Sequence, residues 1–329
     1  MLFNFWLLPI LLMTTLWQAI ACYKENQQKP PGKLINIGNR QLHLLHLPAK
    51  DAAVAKRPTV VIDHSLGGVE GYLLIEEINR LAEVCMCDRA GYGWSDISRD
   101  MPTSEQSISD LNKALAKAEI EPPYILVGDS LGSYNVRLYA SCFPEQVVGM
   151  VLTDGLHERA MLKMGWGLRS LQALFLSGFV MSILGSALGI IRVCDRCGLF
   201  PIVKPQLKKF PPSALRPVLR SFCRPKHWLT MAREIACLDR SGQQLLSANK
   251  FGDLPIINIK ARCFLDLPVL SKWPPLKSAD RLRDDMHKQL MRLSTQCQQL
   301  QADKSGHFVW VDQPELIVQA VQNLLNKKG

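Results

Sequence analysis

Five short, uninterrupted apolar segments constrain the fold of this chain more than any other feature of its sequence. They occupy residues 59–65, 84–90, 124–130, 147–155 and 254–260. The first four are separated by stretches in which apolar residues recur at helical spacing, at 69–83, 104–118 and 131–142. Continuous apolar runs of this length are typical of parallel strands whose two faces are both covered by helices. The pattern predicts an α/β protein with an open, mostly parallel sheet.

The remaining segments suggest how the chain is organised around this sheet. Residues 33–38 and 40–48 alternate between apolar and polar side chains around a turn, which predicts an antiparallel pair at the start of the sheet. Between 156 and 253 the alternation of strands and helices stops, and the sequence becomes apolar, basic and rich in proline. We interpret this stretch as an inserted helical lid. The predicted divisions are a leader at 1–22, a polar spacer at 23–32, the two parts of the core at 33–155 and 254–329, and the lid at 156–253.

The N-terminal segment indicates export or membrane attachment. Residues 1–22 carry no charged side chain, and Ala19 and Ala21 form a small-x-small pattern that resembles a signal-peptidase site. Cys22, which follows directly, loosely resembles a lipidation site. No Lys or Arg precedes the apolar run, so an uncleaved anchor is as well supported as a cleaved signal. We expect a protein that is membrane-associated or exported.

The pentapeptide Gly128-Asp129-Ser130-Leu131-Gly132 joins an apolar strand to a helical stretch. In a GxSxG turn the serine occupies a strained position above the sheet, and the glycines remove side chains that would collide there. The N–H of Leu131, at the start of the helix, can then stabilise a developing oxyanion. On its own the pattern is equally consistent with a strand-to-helix turn that contains an idle serine.

Three further segments resemble turns of the α/β-hydrolase superfamily, in the order that this superfamily has them. They are the HGxGG-like residues 64–68, the DRAGYGWSD turn at 88–96, and the histidine loop at 305–307 followed by a helix that begins near 313–315. The resemblance covers about 33–155 and 254–325. It implies an α/β-hydrolase fold and a serine hydrolase with Ser130 as nucleophile.

The resemblance also assigns roles to residues in these turns. His307 is implied to be the general base that takes and returns the Ser130 proton. Leu66 is implied to supply the second oxyanion N–H, although Ser65 stands where relatives have glycine. His64, Asp88 and Arg89 are interpreted as structural, with Trp94 near the entrance to the site. The histidines without such a context, which we expect at the surface or in the lid, are His43, His46, His227 and His287.

The acid of the triad has two candidates. Most relatives place it after the seventh strand, where this chain offers Asp266 without the usual glycine of that loop. Asp154 ends the sixth strand, next along the sheet from the nucleophile, and some lipases of this fold have their acid there. The acid must lie within hydrogen-bond distance of the imidazole, which does not require a fixed sequence offset. On that ground we favour Asp154.

Charge and hydropathy of the lid point to a surface partner. The net charge is +10, and between 161 and 230 eleven Lys or Arg stand against the single acid Asp195. Their apolar neighbours favour an anionic membrane surface over nucleic acid, with a solvated lid face as the alternative. Residues 170–191 carry no charge and are long enough to span a bilayer. One crossing would separate Ser130 from His307, so we expect a lid helix over the pocket or in the membrane interface.

Together these patterns predict acyl transfer to water on an ester or related bond of a lipophilic small molecule. The alternatives are a ligand-binding member of the fold without turnover, and a lipid acyltransferase. The proposed chemistry needs no metal or organic cofactor. Cys194 and Cys197 form a CxxC that lacks two further zinc ligands nearby, and most of the ten cysteines are expected to be buried small hydrophobes.

Overall fold

The structure, a computed structural model, describes residues 4–51, 54–203, 205–264 and 274–327. At its centre lies an eight-stranded sheet. The strands are β1 (Lys33–Asn36), β2 (Gln41–Leu47), β3 (Thr59–Asp63), β4 (Val84–Cys87), β5 (Tyr124–Asp129), β6 (Val147–Thr153), β7 (Ile256–Ala261) and β8 (Cys297–Ala302). Strands β3 to β7 coincide with the five apolar segments, and β1 and β2 with the predicted antiparallel pair.

The strand order across the sheet is β1-β2-β4-β3-β5-β6-β7-β8. Strand β2 pairs antiparallel with β1 and with β4, and the remaining pairs are parallel. The prediction of a mostly parallel α/β sheet is therefore confirmed. Asp129 and Thr153, the last residues of β5 and β6, are register partners. Ser130 and Asp154, which follow them, consequently lie at the same edge of the sheet.

The helices before the lid and at the C-terminus surround this sheet, except α1, which contacts helices of the lid. They are α1 (Asn4–Asn26), α2 (Glu70–Ile78), α3 (Ser104–Lys117), α4 (Gly132–Cys142), α12 (Pro274–Leu290), α13 (Val309–Asp312) and α14 (Pro314–Asn326). Helix α3 begins where expected because the Thr103 side chain accepts a hydrogen bond from the N–H of Gln106. Helix α2 ends five residues before the predicted position. There the buried Asn79 amide donates to the carbonyls of Leu47 and Pro48, which fixes the turn towards β4.

Apolar side chains of the sheet alternate between two packed layers. Val60 and Ile62 of β3 belong to the layer that includes α2 and α14, and Val61 belongs to the layer that includes α3, α4 and α12. Burying a side chain of this size contributes about 1.5–3 kcal/mol. The two layers, which run the width of the sheet, therefore dominate the stability of the core.

Between β6 and β7 the chain forms the helical lid. Its helices are α5 (Glu158–Leu162), α6 (Trp166–Ala187), α7 (Ile190–Arg196), α8 (Leu199–Val203), α9 (Pro212–Phe222), α10 (Pro225–Ala236) and α11 (Leu238–Gln244). Helix α6 packs against α10. Within the described ranges, α6 is the one helix long and apolar enough to span a membrane, yet only 11% of its most apolar stretch is buried.

The cysteines are less buried than expected. Four are buried, four are half-buried and two are exposed. The two exposed residues, Cys142 and Cys197, lie at helix C-termini, where the chain turns at the surface. The expectation that most cysteines act as core hydrophobes is therefore wrong for this chain.

Candidate active site

Ser130 lies on the tight turn between β5 and α4. Its φ angle is +49°, and a left-handed conformation costs a non-glycine residue roughly 1–3 kcal/mol. The flanking glycines make the turn possible. A Cβ atom at Gly128 would lie 2.5 Å from a methyl carbon of Val136, and one at Gly132 would lie 2.3 Å from the carbonyl oxygen of Asp63. The sequence around Ser130 thus folds into the strained turn that the GxSxG pattern predicts.

A chain of two hydrogen bonds runs from Ser130 through His307 to Asp154. His307 Nε2 lies 3.0 Å from Ser130 Oγ, and His307 Nδ1 lies 2.6 Å from Asp154 Oδ2. When Nδ1–H donates to the carboxylate, Nε2 is free to accept the serine proton. The structure therefore brings together the serine, histidine and acid selected from the sequence. Asp266, the alternative acid, lies outside the described residues.

Asp154 is buried and accepts further hydrogen bonds from two neighbouring elements. Arg283 of α12 donates from Nη2 to Oδ1 at 2.7 Å and from Nε to Oδ2 at 3.1 Å, and the N–H of Ala261 donates to Oδ1 at 3.1 Å. His287 Nε2 lies 3.1 Å from Oδ1. Burial alone would raise the pKa of Asp154, but the hydrogen bonds from His287 and His307 and the charge of Arg283 hold this pKa well below its usual range. Asp154 is therefore a carboxylate at neutral pH.

The structure corrects the expected placement of the other histidines. His43 and His287 are buried in the core at 0% and 2% exposure, and His46 is half-buried on β2. His227 does lie in the lid, but it is buried there. Sequence reasoning missed His287 and Arg283 as parts of the site. Their i,i+4 spacing in α12 was the available signal, because it puts both on one face of the helix.

Replacing Arg283 with glutamine should move the acidic limb of the pH–rate profile to higher pH. The guanidinium offsets the negative charge of Asp154, so without it Asp154 stabilises a protonated His307 more strongly. We expect a shift of about one pH unit for the loss of one buried charge. The profile of kcat/KM for a soluble ester measures it. Arg281→Gln, which changes an exposed residue of the same helix, is the control. If the Arg283→Gln profile were equal to the Arg281→Gln profile, the role assigned to Arg283 would be wrong.

The loop after β3 lies beside Ser130. Leu66 and Leu131 line the same cavity as Ser130, the location that donors to an oxyanion require. The hydroxyl of Ser65 donates to the carboxyl group of Glu70, which also accepts a hydrogen bond from the N–H of Val69 at 3.0 Å. Ser65, the departure from the glycine of relatives, therefore ties this loop to the start of α2.

Two buried carboxyl groups lie beneath this loop. Burial raises the pKa of Glu70 to about 7. Burial, together with the nearby charge of Glu70, raises the pKa of Asp129 well above its ordinary value. No N–H or hydroxyl group among the described residues donates to Asp129, whose carboxyl group is hydrogen-bonded to that of Glu70. The pair therefore retains a proton near neutral pH.

Replacing Glu70 with glutamine should flatten the pH dependence of stability. Glu70 has a folded pKa of about 7 against an ordinary value of 4.5, so the folded state binds more protons between these values. Stability of the wild type should therefore fall as pH rises through this window, at up to ~1.4 kcal/mol per unit. Thermal melts at pH 5 and pH 8 measure the difference. Glu76→Gln, a change at an exposed residue of the same helix, is the control and should melt like the wild type at both pH values. If the melting temperature of Glu70→Gln depended on pH as strongly as that of the wild type, the pKa assigned to Glu70 would be wrong.

The turn at 88–96 connects the sheet to the lid. Arg89 donates to Asp63 at 2.6 Å and to Glu234 of α10 at 2.8 Å, and all three side chains are buried. Tyr92 also donates its hydroxyl to Glu234, at 2.7 Å. Breaking a buried ion pair of this kind typically costs about 3–5 kcal/mol. The structural role implied for Arg89 thus includes fixing α10.

Trp94 does not line the entrance to the site, contrary to expectation. Its ring lies under the guanidinium of Arg220, at 4.2 Å from the ring centroid, and its backbone N–H donates to the Asp88 carboxylate at 3.1 Å. The residues that line the cavity above Ser130 do not include it. Trp94 therefore supports the junction between this turn and α9.

A cavity of about 340 Å³ opens above Ser130 and His307. Its lining is mainly apolar and comes largely from the lid: Leu156, Met161, Met164, Leu168, Leu171, Phe175, Phe179, Met231, Ile235 and Leu238. Such walls disfavour charged groups, because nothing there replaces their lost hydration.

Helix α6 does not cross a membrane once in this fold. Ser130 precedes α6 in the chain and His307 follows it, and the two side chains are in contact, so the chain segments before and after α6 lie on the same side of any membrane.

The sheet order, the serine turn after β5 and the histidine after β8 define the α/β-hydrolase fold. The sequence model of that fold matches residues 58–177. Solved structures agree: an enol-lactonase from Burkholderia xenovorans has a TM-score of 0.62 at 14% identity, covering 89% of this chain and 100% of the enzyme. An α/β hydrolase from a deep-sea metagenome has a TM-score of 0.63 at 12% identity, covering 89% and 97%. The chain therefore has the α/β-hydrolase fold.

Curated relatives match over shorter stretches. An uncharacterized vacuolar membrane protein of Saccharomyces cerevisiae is 36% identical over 117 residues, which are 33% of this chain and 18% of that protein. The matches span between 18% and 26% of the length of the curated relatives.

Proposed function

We propose that this protein is a serine hydrolase that cleaves an ester or related acyl bond of a lipophilic small molecule. The observation that carries the proposal is the hydrogen-bonded series Ser130, His307 and Asp154 at the floor of an apolar cavity. The α/β-hydrolase fold supports hydrolase activity as the class of reaction.

The reaction proceeds through an acyl-enzyme. Ser130 Oγ attacks the acyl carbonyl carbon while His307 Nε2 takes the hydroxyl proton. The N–H groups of Leu131 and Leu66 stabilise the oxyanion of the tetrahedral intermediate. His307 then gives its proton to the leaving oxygen, and the acyl group stays on Ser130. Water, deprotonated by His307, attacks this ester, and His307 returns the proton to Ser130 Oγ as the bond to the acyl carbon breaks and the acid is released.

Asp154 acts through the imidazole in both halves of this reaction. Its carboxylate accepts the Nδ1–H of His307, which keeps Nε2 available as the base and offsets the positive charge that the ring acquires. The low pKa of Asp154 means that the proton stays on His307 when the ring becomes an imidazolium. Arg283 and His287 are positioning residues, because they contact Asp154 and not the reacting atoms: both reach Oδ1, and Arg283 Nε also donates to Oδ2, the oxygen bonded by His307.

Labelling with a fluorophosphonate probe tests the proposal. We expect the probe to modify Ser130, and a series of p-nitrophenyl esters to be cleaved faster as the acyl chain lengthens until the cavity is filled. A folded but unlabelled protein would indicate a ligand-binding member of the fold. Labelling accompanied by transfer of the acyl group to an added lipid alcohol, in preference to water, would indicate a lipid acyltransferase.

A further inference from the structure

Helix α1 is attached to the lid by buried polar contacts. The side-chain amide of Gln18, 3% exposed, donates to the carbonyl oxygen of Cys223 at 2.6 Å and accepts a hydrogen bond from Arg192 Nε at 2.5 Å. Glu25, near the end of α1, pairs with the guanidinium groups of Arg192 and Arg224. The second half of α1 is therefore part of the folded molecule.

The junction is also tightly packed. Gly189, between α6 and α7, has a φ angle of +78°, and a Cβ atom there would lie 2.4 Å from the carbonyl oxygen of Thr14. Only glycine allows this approach. Removal of the chain up to Ala21 would take away Gln18 and leave the buried Arg192 without one of its partners. These contacts fit a helix that is retained, and they have no purpose in a signal that is removed.

The outer faces of α1 and α6 are strongly apolar and exposed. Leu12, Met13 and Leu16 of α1 are 62–70% exposed, and Met181 and Leu184 of α6 are 65% and 54% exposed. The two helices contact each other. Soluble monomers rarely expose apolar patches of this extent without a partner.

We propose that α1 is retained in the mature protein and that α1 and the outer face of α6 together form one surface that lies in the interface of an anionic lipid bilayer. The surrounding charge favours lipid over a second copy of the chain. Exposed cations lie on α1 and across the lid: Lys24, Lys163, Arg196, Lys208, Lys209 and Arg216. They complement anionic headgroups, whereas two copies would bring like charges together.

The surface would deliver substrate directly to the cavity. Helix α6 lines the cavity with Leu171, Phe175 and Phe179 and presents Met181 and Leu184 on its outer side. Only helix α6 would then separate a lipophilic ester dissolved in the bilayer from the cavity above Ser130. This part of the inference rests on the proposed hydrolase function, whereas the bilayer contact does not.

Flotation of the full-length protein with vesicles tests the surface. We expect binding to phosphatidylcholine vesicles that contain phosphatidylglycerol, and weaker binding to phosphatidylcholine alone. The double variants Met13→Glu/Leu16→Glu and Met181→Glu/Leu184→Glu should each lower the bound fraction at least tenfold. Leu246→Glu, at a 48% exposed apolar residue outside both helices, should bind like the wild type. Unchanged binding of both double variants would overturn the proposal. The proposal would also be overturned if the wild-type protein formed a dimer in the absence of lipid and the double variants were monomeric.

Two readouts separate this proposal from the hydrolase assignment. The α6 variant should hydrolyse a short, water-soluble ester at the wild-type rate and lose activity only on esters carried in vesicles. If the protein bound vesicles but hydrolysed no ester, the hydrolase assignment would be wrong and the proposed bilayer contact would still hold. Mass spectrometry of the N-terminal peptide, from protein extracted from membranes of expressing cells, should detect residues before Cys22. A mature chain that begins at Cys22 would overturn the retention of α1.

Discussion

Replacement of Ser130 with alanine should lower kcat/KM for ester hydrolysis by on the order of 10⁶-fold. The change removes the attacking oxygen, while the cavity and the oxyanion donors remain. We expect the fold to survive, because the side-chain hydrogen bond of Ser130 goes only to the partly buried His307 in the part of the chain that the structure describes.

Hydrolysis of a p-nitrophenyl ester and circular dichroism of the same sample measure the two effects. Fluorophosphonate labelling should disappear together with the activity. A folded Ser130→Ala protein that still cleaves the ester would show that another group is the nucleophile, and the motif would then be a turn with an idle serine.

Replacement of Asp154 with asparagine should lower kcat by about 10⁴-fold, because the amide can donate to His307 Nδ1 and so favours the tautomer in which Nε2 carries the proton. That ring cannot accept the Ser130 proton. Here the change has a second effect, since Arg283 loses its buried counter-charge. Loss of one partner of a buried ion pair costs about 3–5 kcal/mol, so the variant should also unfold at lower denaturant concentration.

Urea unfolding and single-turnover kinetics well below the unfolding midpoint separate these two effects. Asp266→Asn is the matched control, because Asp266 is the acid that most relatives would use. It should retain most of the activity. A larger loss for Asp266→Asn than for Asp154→Asn would place the acid after β7 and reduce Asp154 to a structural residue at the end of β6.

The central strands were predictable because both of their faces are buried. Strands β3 and β5 are buried at every position, so their segments are apolar without interruption. Strand β8 is different: it lies at the edge of the sheet, its sequence is CQQLQA, and most of its side chains are exposed or half-buried. Hydropathy alone does not distinguish such a strand from a loop, so its existence followed only from the resemblance around His307.

Site residues could be predicted from the sequence where the backbone conformation requires particular residue types. The turn around Ser130 needs its two glycines, and Asp154 was recognisable from its position at the end of a buried strand. Arg283 and His287 left only their i,i+4 spacing, which places them on one face of α12 but does not show that this face contacts Asp154. The burial of Arg192 and Arg224 against α1 was likewise invisible, since a sequence shows the charge of a residue but not its partner.

The contact between Arg89 and Glu234 fixes one helix of the lid to the sheet. Helix α10 is held to the sheet by a buried ion pair, so any displacement of it would have to break that pair and expose both charges. Helix α6 has no ion pair of that kind to the sheet among the described contacts, and its one salt bridge, from Arg169, goes to Asp239 of α11 at a half-exposed position. The position of α6 over the cavity therefore depends on its packing against α10 and on the hydrogen bond from Gln172 to the carbonyl of Ile235, and α10 is the helix through which the sheet fixes the lid.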